Sequence, residues 1–155
     1  MHPNAALVTR FYEAFQRRDA EAMAACYTPD ARFSDPVFQD LNGSEVGDMW
    51  RMLALGARDF SLTFRDVKAN DFTGSAHWEA DYTFSKTGRK VHNVIEARFV
   101  FRDGKIERHA DEFDLKAWLG MALGPMGKVF GGSRRMHAKV RKDAARRLAA
   151  YRSGR

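Results

Sequence analysis

Asn93-Val94-Ile95-Glu96-Ala97-Arg98-Phe99-Val100-Phe101-Arg102-Asp103-Gly104-Lys105-Ile106 is the stretch that decides the fold. Asn93, Ile95, Ala97, Phe99 and Phe101 recur at every second position, with Glu96, Arg98 and Arg102 between or beside them. A period of two is what a strand with one buried face produces. Asp103-Gly104 supplies the residue pair that a tight hairpin favours, and a last strand follows from Lys105 to about Phe113. Working backwards, Trp78, Ala80, Tyr82 and Phe84 alternate in the same way, as do Phe60, Leu62 and Phe64, and Thr87-Gly88 turns the chain between the long strands.

Upstream of Phe60 the period is helical. Leu7, Val8, Phe11, Tyr12 and Phe15 form one apolar stripe. Arg17-Arg18-Asp19 interrupts it, and Asp19 can cap a second short helix running to about Tyr27. Thr28-Pro29-Asp30 reads as a turn. Ser44 reads as the N-cap of a third helix that carries Val46, Met49, Trp50, Leu53 and Leu55 to about Ala57. Helices first and an antiparallel meander after predict an α+β fold, with the helices on one face of a curved sheet.

Length allows one domain with a core and a cavity. The net charge of +6 is unevenly placed. Residues 1–114 hold 15 Lys+Arg against 19 Asp+Glu, a net of −4, whereas residues 115–155 hold 11 against the single Asp143, a net of +10. The basicity therefore belongs to a C-terminal extension, which argues against nucleic-acid binding by the body. The boundary is placed so that residues 1–123 form the main domain and 124–155 the basic helical extension. Leu115, Trp118, Leu119, Met121 and Leu123 are expected to cross the open end of the domain. Gly124 to Gly132 would be a flexible link, and a final helix from Ser133 to Tyr151 would pack Met136, Val140 and Leu148 inward. Docking of that basic helix on acidic lipid or nucleic acid is the less favoured alternative. The lone Cys26 excludes an internal disulfide, no apolar run approaches a membrane span, and Met-His-Pro-Asn lacks a signal pattern, so a cytoplasmic protein is expected.

Two stretches carry ionisable groups toward an interior. In Ala31-Arg32-Phe33-Ser34-Asp35, alternation puts Asp35 on the face of Ala31 and Phe33, and Pro36 ends the strand there. A carboxyl buried in that way has a raised pKa and can carry a proton; the plainer alternative is an aspartate capping a turn. In the last strand, alternation puts Glu107, His109, Asp111 and Phe113 on one face and Ile106, Arg108, Ala110 and Glu112 on the other, and pattern alone leaves open which is inward. His77, His92 and His109 lie on separate strands without a metal-ligand spacing, and no glycine-rich phosphate loop precedes a helix, so neither metal nor cofactor is expected.

Arg10-Phe11-Tyr12-Glu13-Ala14-Phe15, Arg18-Asp19-Ala20, Tyr27-Thr28-Pro29-Asp30-Ala31 and Asp35-Pro36-Val37 resemble the opening of nuclear transport factor 2-like proteins. Phe99 through Ile106 and His109 through Asp114 resemble their closing hairpin, most like the SnoaL-like and ketosteroid isomerase branch. The resemblance implies a cone-shaped, cystatin-like α+β roll enclosing a cavity. It places Asp35 on the isomerase's catalytic base, and it turns His109, Asp111 and Phe113 inward, with Asp111 like the acid/base aspartate of SnoaL-type cyclases. It also places the isomerase's oxyanion tyrosine on Phe11 and its protonated aspartate near Ala97, so both hydrogen-bond donors of that site are missing here. Tyr82, Asn93 or His109, or Tyr12 if the first helix is rotated, are the candidate replacements. An epoxide-hydrolase set of Asp, Arg and Asp would need Arg98, which alternation sends outward.

The expectation is thus a cofactor-free enzyme doing acid/base chemistry (isomerase, dehydratase or cyclase type) on an apolar cyclic substrate. Asp35, His109 and Asp111 would be catalytic, and Trp78, Tyr82, Asn93, Phe99, Phe113 and Tyr12 would bind substrate. The alternative is a non-catalytic ligand-binding or dimerisation module. A homodimer through the outer sheet face, built on His77, Glu79, Asp81, His92, Glu96 and Arg98, completes the expectation.

Overall fold

The computed structural model describes residues 1–56 and 58–154, so the expected end of the third helix at Ala57 lies outside the described residues. Helices α1 (Pro3–Gln16), α2 (Ala20–Ala24) and α3 (Ser44–Gly56) pack on a sheet of six strands. These are β1 (Tyr27–Ser34), β2 (Leu41–Asn42), β3 (Ser61–Ala69), β4 (Thr73–Phe84), β5 (Arg89–Arg102) and β6 (Lys105–Glu112). Helices α4 (Leu115–Leu123), α5 (Pro125–Phe130) and α6 (Arg134–Ser153) complete the chain.

The sheet order is β2-β1-β6-β5-β4-β3, antiparallel throughout except where β1 lies parallel to β6. The β5–β6 turn has positive φ at both Asp103 and Gly104, the conformation that a two-residue hairpin of this hand needs. Along β5 burial alternates without a break from Val91 to Phe101. The inner face meets Leu7, Val8, Phe11, Tyr12 and Phe15 of α1 in one aromatic-rich core. Phe11 and Phe15 each stand edge-on to Trp50, at centroid separations of 5.7 and 5.2 Å. Such pairs contribute about 0.5–1.5 kcal/mol each beyond the area they bury.

Four local expectations need correction. Helix α2 ends at Ala24, and Tyr27-Thr28-Pro29-Asp30 is the start of β1 instead of a helix end and a turn. Pro29 is tolerated because the β1–β6 register is irregular between Tyr27 and Arg32. In β6, Val100 pairs with Arg108 but Phe101 pairs with Ile106, leaving Glu107 as a bulge. Strict alternation therefore fails: Ile106, His109 and Asp111 are all buried, while Glu107 turns out to meet Arg102 at 3.5 Å. Residues 124–132 are not a bare link, because they contain α5 with Pro125 in its first turn. Gly127 lets α5 lie directly on α4, since a Cβ there would overlap the Leu119 carbonyl.

Helix α6 returns across the body to α3. Ala144 and Leu148 are buried, and fully burying a leucine is worth roughly 1.5–3 kcal/mol. Its last turn is pinned by Arg152, whose guanidinium donates to Asp48 Oδ2 at 3.0 Å and to Ser44 Oγ at 2.9 Å. Arg141 Nε donates to the Pro36 carbonyl at 3.0 Å, so the basic helix is tied to the loop that carries Asp35.

Candidate active site

The parallel pairing of β1 and β6 creates the site. Phe33 is level with His109 and Ser34 with Ala110, so continuing the register by one residue brings Asp35 level with Asp111. Neighbouring strands lie about 4.8 Å apart, and side chains at equivalent positions share a face. Two carboxyls therefore meet on the inner side of the sheet at the point where β1 stops.

Asp35 is held in a tight turn. Its Oδ1 accepts from the backbone amides of Val37 at 2.7 Å and Phe38 at 2.6 Å, while its own amide donates to the Phe38 carbonyl at 2.7 Å. The capping aspartate and the inward aspartate are one residue: Oδ1 is used by the turn, and Oδ2 is left for the cavity. Burial pushes the carboxyl up from 3.8 to about 7; the charge of Asp111 adds to the rise, and the two amides oppose it.

Asp111 ends a buried relay. Trp50 Nε1 donates to the Tyr27 hydroxyl oxygen at 2.9 Å, and that hydroxyl lies 2.7 Å from His109 Nδ1. His109 Nε2 lies 2.9 Å from Asp111 Oδ1, which Trp78 Nε1 also approaches at 3.4 Å. One assignment satisfies every group. Tyr27 accepts from Trp50 and donates to Nδ1, so the imidazole proton is on Nε2 and points at Asp111. The His109 ring is gripped by Phe99 at 4.5 Å, Phe33 at 4.9 Å and Phe11 at 5.7 Å between centroids, which fixes its plane.

In front of these groups lies a cavity of about 410 Å³, walled by Trp50, Trp78, Ile95, Phe113 and Leu119 among others. Ordinary ligand pockets have this size and mostly apolar lining. Tyr82 and Asn93 are among the uncharged polar groups that line it. The Tyr82 hydroxyl accepts from Trp118 Nε1 at 2.7 Å, and its own proton has no acceptor among the described residues. Burial raises the Tyr82 pKa, helped by the Asp35 charge, so the hydroxyl stays a donor at neutral pH. Asn93 is buried without a side-chain hydrogen bond among the described residues.

The structure thus brings Asp35, Asp111, Trp78, Tyr82, Asn93 and Phe113 to one cavity. It does not bring His109, Phe99 or Tyr12 to the cavity wall. His109 is buried behind Asp111, against the Phe99 ring, and Tyr12 is fully buried under Phe64 and Trp78. The Tyr12 hydroxyl has no partner among the described residues. Phe11 stands as an apolar ring against the relay, 5.6 Å from the Tyr27 ring between centroids, and Ala97 pairs with Asp111 across the strands. Sequence reasoning missed Tyr27, which read as a helix end, and Trp50, which read as a core type, and it missed the charged residues of α6 that line the cavity beside Met136 and Val140. The signal for the latter was the i, i+4, i+8 spacing of Lys139, Asp143 and Arg147 beside the apolar stripe.

The opposite sheet face holds an ionic cluster. His77 bridges Glu79 at 2.7 Å and Glu96, and His92 bridges Asp81 at 2.7 Å and Glu79 at 3.1 Å. Hydrogen bonds to Glu79 and Glu96 raise the His77 pKa, and those to Asp81 and Glu79 raise that of His92. Among the described residues no group of three or more His, Cys, Asp or Glu could hold a metal ion. No described helix is long and apolar enough to cross a membrane.

The sequence model of the SnoaL-like domain matches residues 8–109, which leaves α4, α5 and α6 beyond the match. No curated protein matches the sequence. Among solved structures, a putative polyketide cyclase from Silicibacter sp. superposes with a TM-score of 0.69 at 18% identity, over 79% of this chain and 96% of that one. A putative polyketide cyclase from Xanthomonas campestris gives 0.65 at 23% identity, over 77% and 96%. An epoxide hydrolase of the LEH-like type from M. tuberculosis gives 0.66 at 19% identity, over 83% and 93%.

Proposed function

The chain belongs to the SnoaL-like domain family, and from that premise we propose that it is a cofactor-free enzyme moving protons on an apolar cyclic carbonyl or hydroxyl compound. The observation that carries this reading is the pair of carboxyls at Asp35, just past the end of β1, and Asp111 on the adjacent β6, both lining one apolar cavity. A carboxyl with a pKa of about 7 is protonated and ionised in comparable amounts at neutral pH, which suits a group that must take and return a proton. Asp35 is the proton carrier. Asp111 is the second acid/base, with His109 as its positioning residue: the imidazole feeds a hydrogen bond to Oδ1 and leaves Oδ2 to meet substrate. Tyr82 and Asn93 hold the substrate oxygen in place of the donors that Phe11 and Ala97 cannot supply. Isomerisation, dehydration and aldol-type ring closure all use this set. Water-driven epoxide opening suits it less, because Arg98 is exposed on the far side of β5.

The test is solvent exchange. 2-Tetralone in D2O, followed by proton NMR, should lose its α-protons faster with the protein than with buffer. Asp35→Asn and Asp111→Asn should each remove the acceleration. If the ketone binds and wild type gives no acceleration, the cavity is a non-catalytic ligand site.

A further inference from the structure

The cavity has two ends of opposite charge, and the outer one is built by residues beyond the family match. Lys139, Asp143 and Arg147 lie one turn apart on the face of α6 that closes the cavity, and Lys86 reaches the same rim from the turn after β4. Asp143 meets Lys86 and Arg146, each at 3.9 Å. Lys139 and Arg147 make no ion pair or hydrogen bond among the described residues. The mouth therefore presents three cations against one carboxylate, and the inner end presents Asp35 and Asp111.

From this polarity we infer that the ligand is an apolar cyclic carbonyl compound bearing a carboxylate, bound with the carboxylate at Lys139 and Arg147 and the carbonyl end between Asp35 and Asp111. The inference deepens the proposed acid/base reading and rests on it. Both ends contribute to the orientation. A carboxylate placed at the inner end would face two acidic groups in a poorly solvated site, and an ammonium group at the mouth would face three cations. A neutral ring system would have no preference between the two ways round. The apolar walls between the ends suit the ring body, and the reactive carbon is then delivered to the carboxyls by a contact remote from them.

All three tryptophans, Trp50, Trp78 and Trp118, line the cavity, so quenching of their emission reads binding inside it. Two probes of nearly equal shape separate charge from shape: 1-anilinonaphthalene-8-sulfonate, whose sulfonate stands for the carboxylate, and the neutral N-phenyl-1-naphthylamine. The anionic probe should bind more tightly and weaken as salt is added. The double substitution Lys139→Gln with Arg147→Gln should weaken it roughly tenfold while leaving the neutral probe unchanged. Asp143→Asn should tighten the anionic probe alone. Equal affinities of the two probes, or a double variant that changes both alike or neither, overturns the anion inference and leaves the acid/base reading standing. If neither probe quenches the tryptophans, the ligand cavity is removed, and both readings fall with it.

Discussion

Replacing Asp35 by Asn should stabilise the protein at neutral and higher pH and do little in acid. An acid whose folded pKa exceeds its unfolded value holds its proton more tightly in the native state. Its contribution to stability is then greatest below 3.8, falls as pH rises, and levels off above about 7. The rise from 3.8 to about 7, at about 1.4 kcal/mol per pH unit, sets a ceiling near 4 kcal/mol. Asp35 keeps partial exposure through the cavity, which lowers the expected gain to about 2–4 kcal/mol. Asn retains a side-chain carbonyl that can accept from Val37 and Phe38, so the turn survives, with weaker hydrogen bonds than a carboxylate makes. For a chain of this size the gain corresponds to roughly 4–16 °C in Tm. Differential scanning fluorimetry of both proteins from about pH 4 to pH 8.5 reads it directly. The Tm difference should be small at the acid end and grow in favour of Asn up to about pH 7. A variant destabilised equally at every pH would refute the reasoning and leave Asp35 as a turn cap alone.

Tyr27→Phe removes the hydroxyl between Trp50 and His109 and leaves two buried nitrogens without that partner, so chemical denaturation should show a loss of about 2–4 kcal/mol; a neutral or stabilised variant would mean that the relay is not formed. His77 has a folded pKa above its unfolded 6.5, so its contribution is fully present below 6.5 and is lost as pH rises through the folded value. Wild type should therefore exceed His77→Gln in Tm most clearly near pH 6, and an advantage that grows with pH would contradict the carboxylate pairing. We also propose that the outer sheet face, where Val94 stands exposed beside the His77 and His92 clusters, joins two copies of the chain. Sedimentation at micromolar concentration should give twice the monomer mass, and a monomer there ends that proposal.

The strands were legible because one buried face forces a period of two, and β5 keeps it for its whole buried length. The same logic placed Asp35 on the face of Ala31 and Phe33, whereas for Asp111 it left the face open and the family resemblance turned it inward. The adjacency of the two carboxyls was not legible, since it depends on β1 lying parallel to β6, a pairing of distant segments that periodicity does not encode. The bulge at Glu107 was hidden for a related reason: Ile106 and His109 both face inward although three residues apart, and only the partner strand reveals the extra residue. Tyr27 looked like a helix end and Trp50 like core, and their hydrogen-bonding ends act only through His109 from another strand. Gly124-Pro125 reads as a break, yet proline fits the first turn of a helix, and α5 starts there.

The account rests on Asp35 and Asp111 sharing one cavity with Asp35 titrating near neutrality, and carboxyl 13C NMR measures that most directly. With aspartate carboxyls labelled and Asp35 assigned from its Asn variant, the Asp35 resonance should titrate with a midpoint of about 7 in wild type. In Asp111→Asn, where the neighbouring charge is gone, the midpoint should move down while staying above the ordinary aspartate value, because burial remains the larger cause. A midpoint near the ordinary value of 3.8 in wild type, or one unmoved by Asp111→Asn, would contradict the shared site.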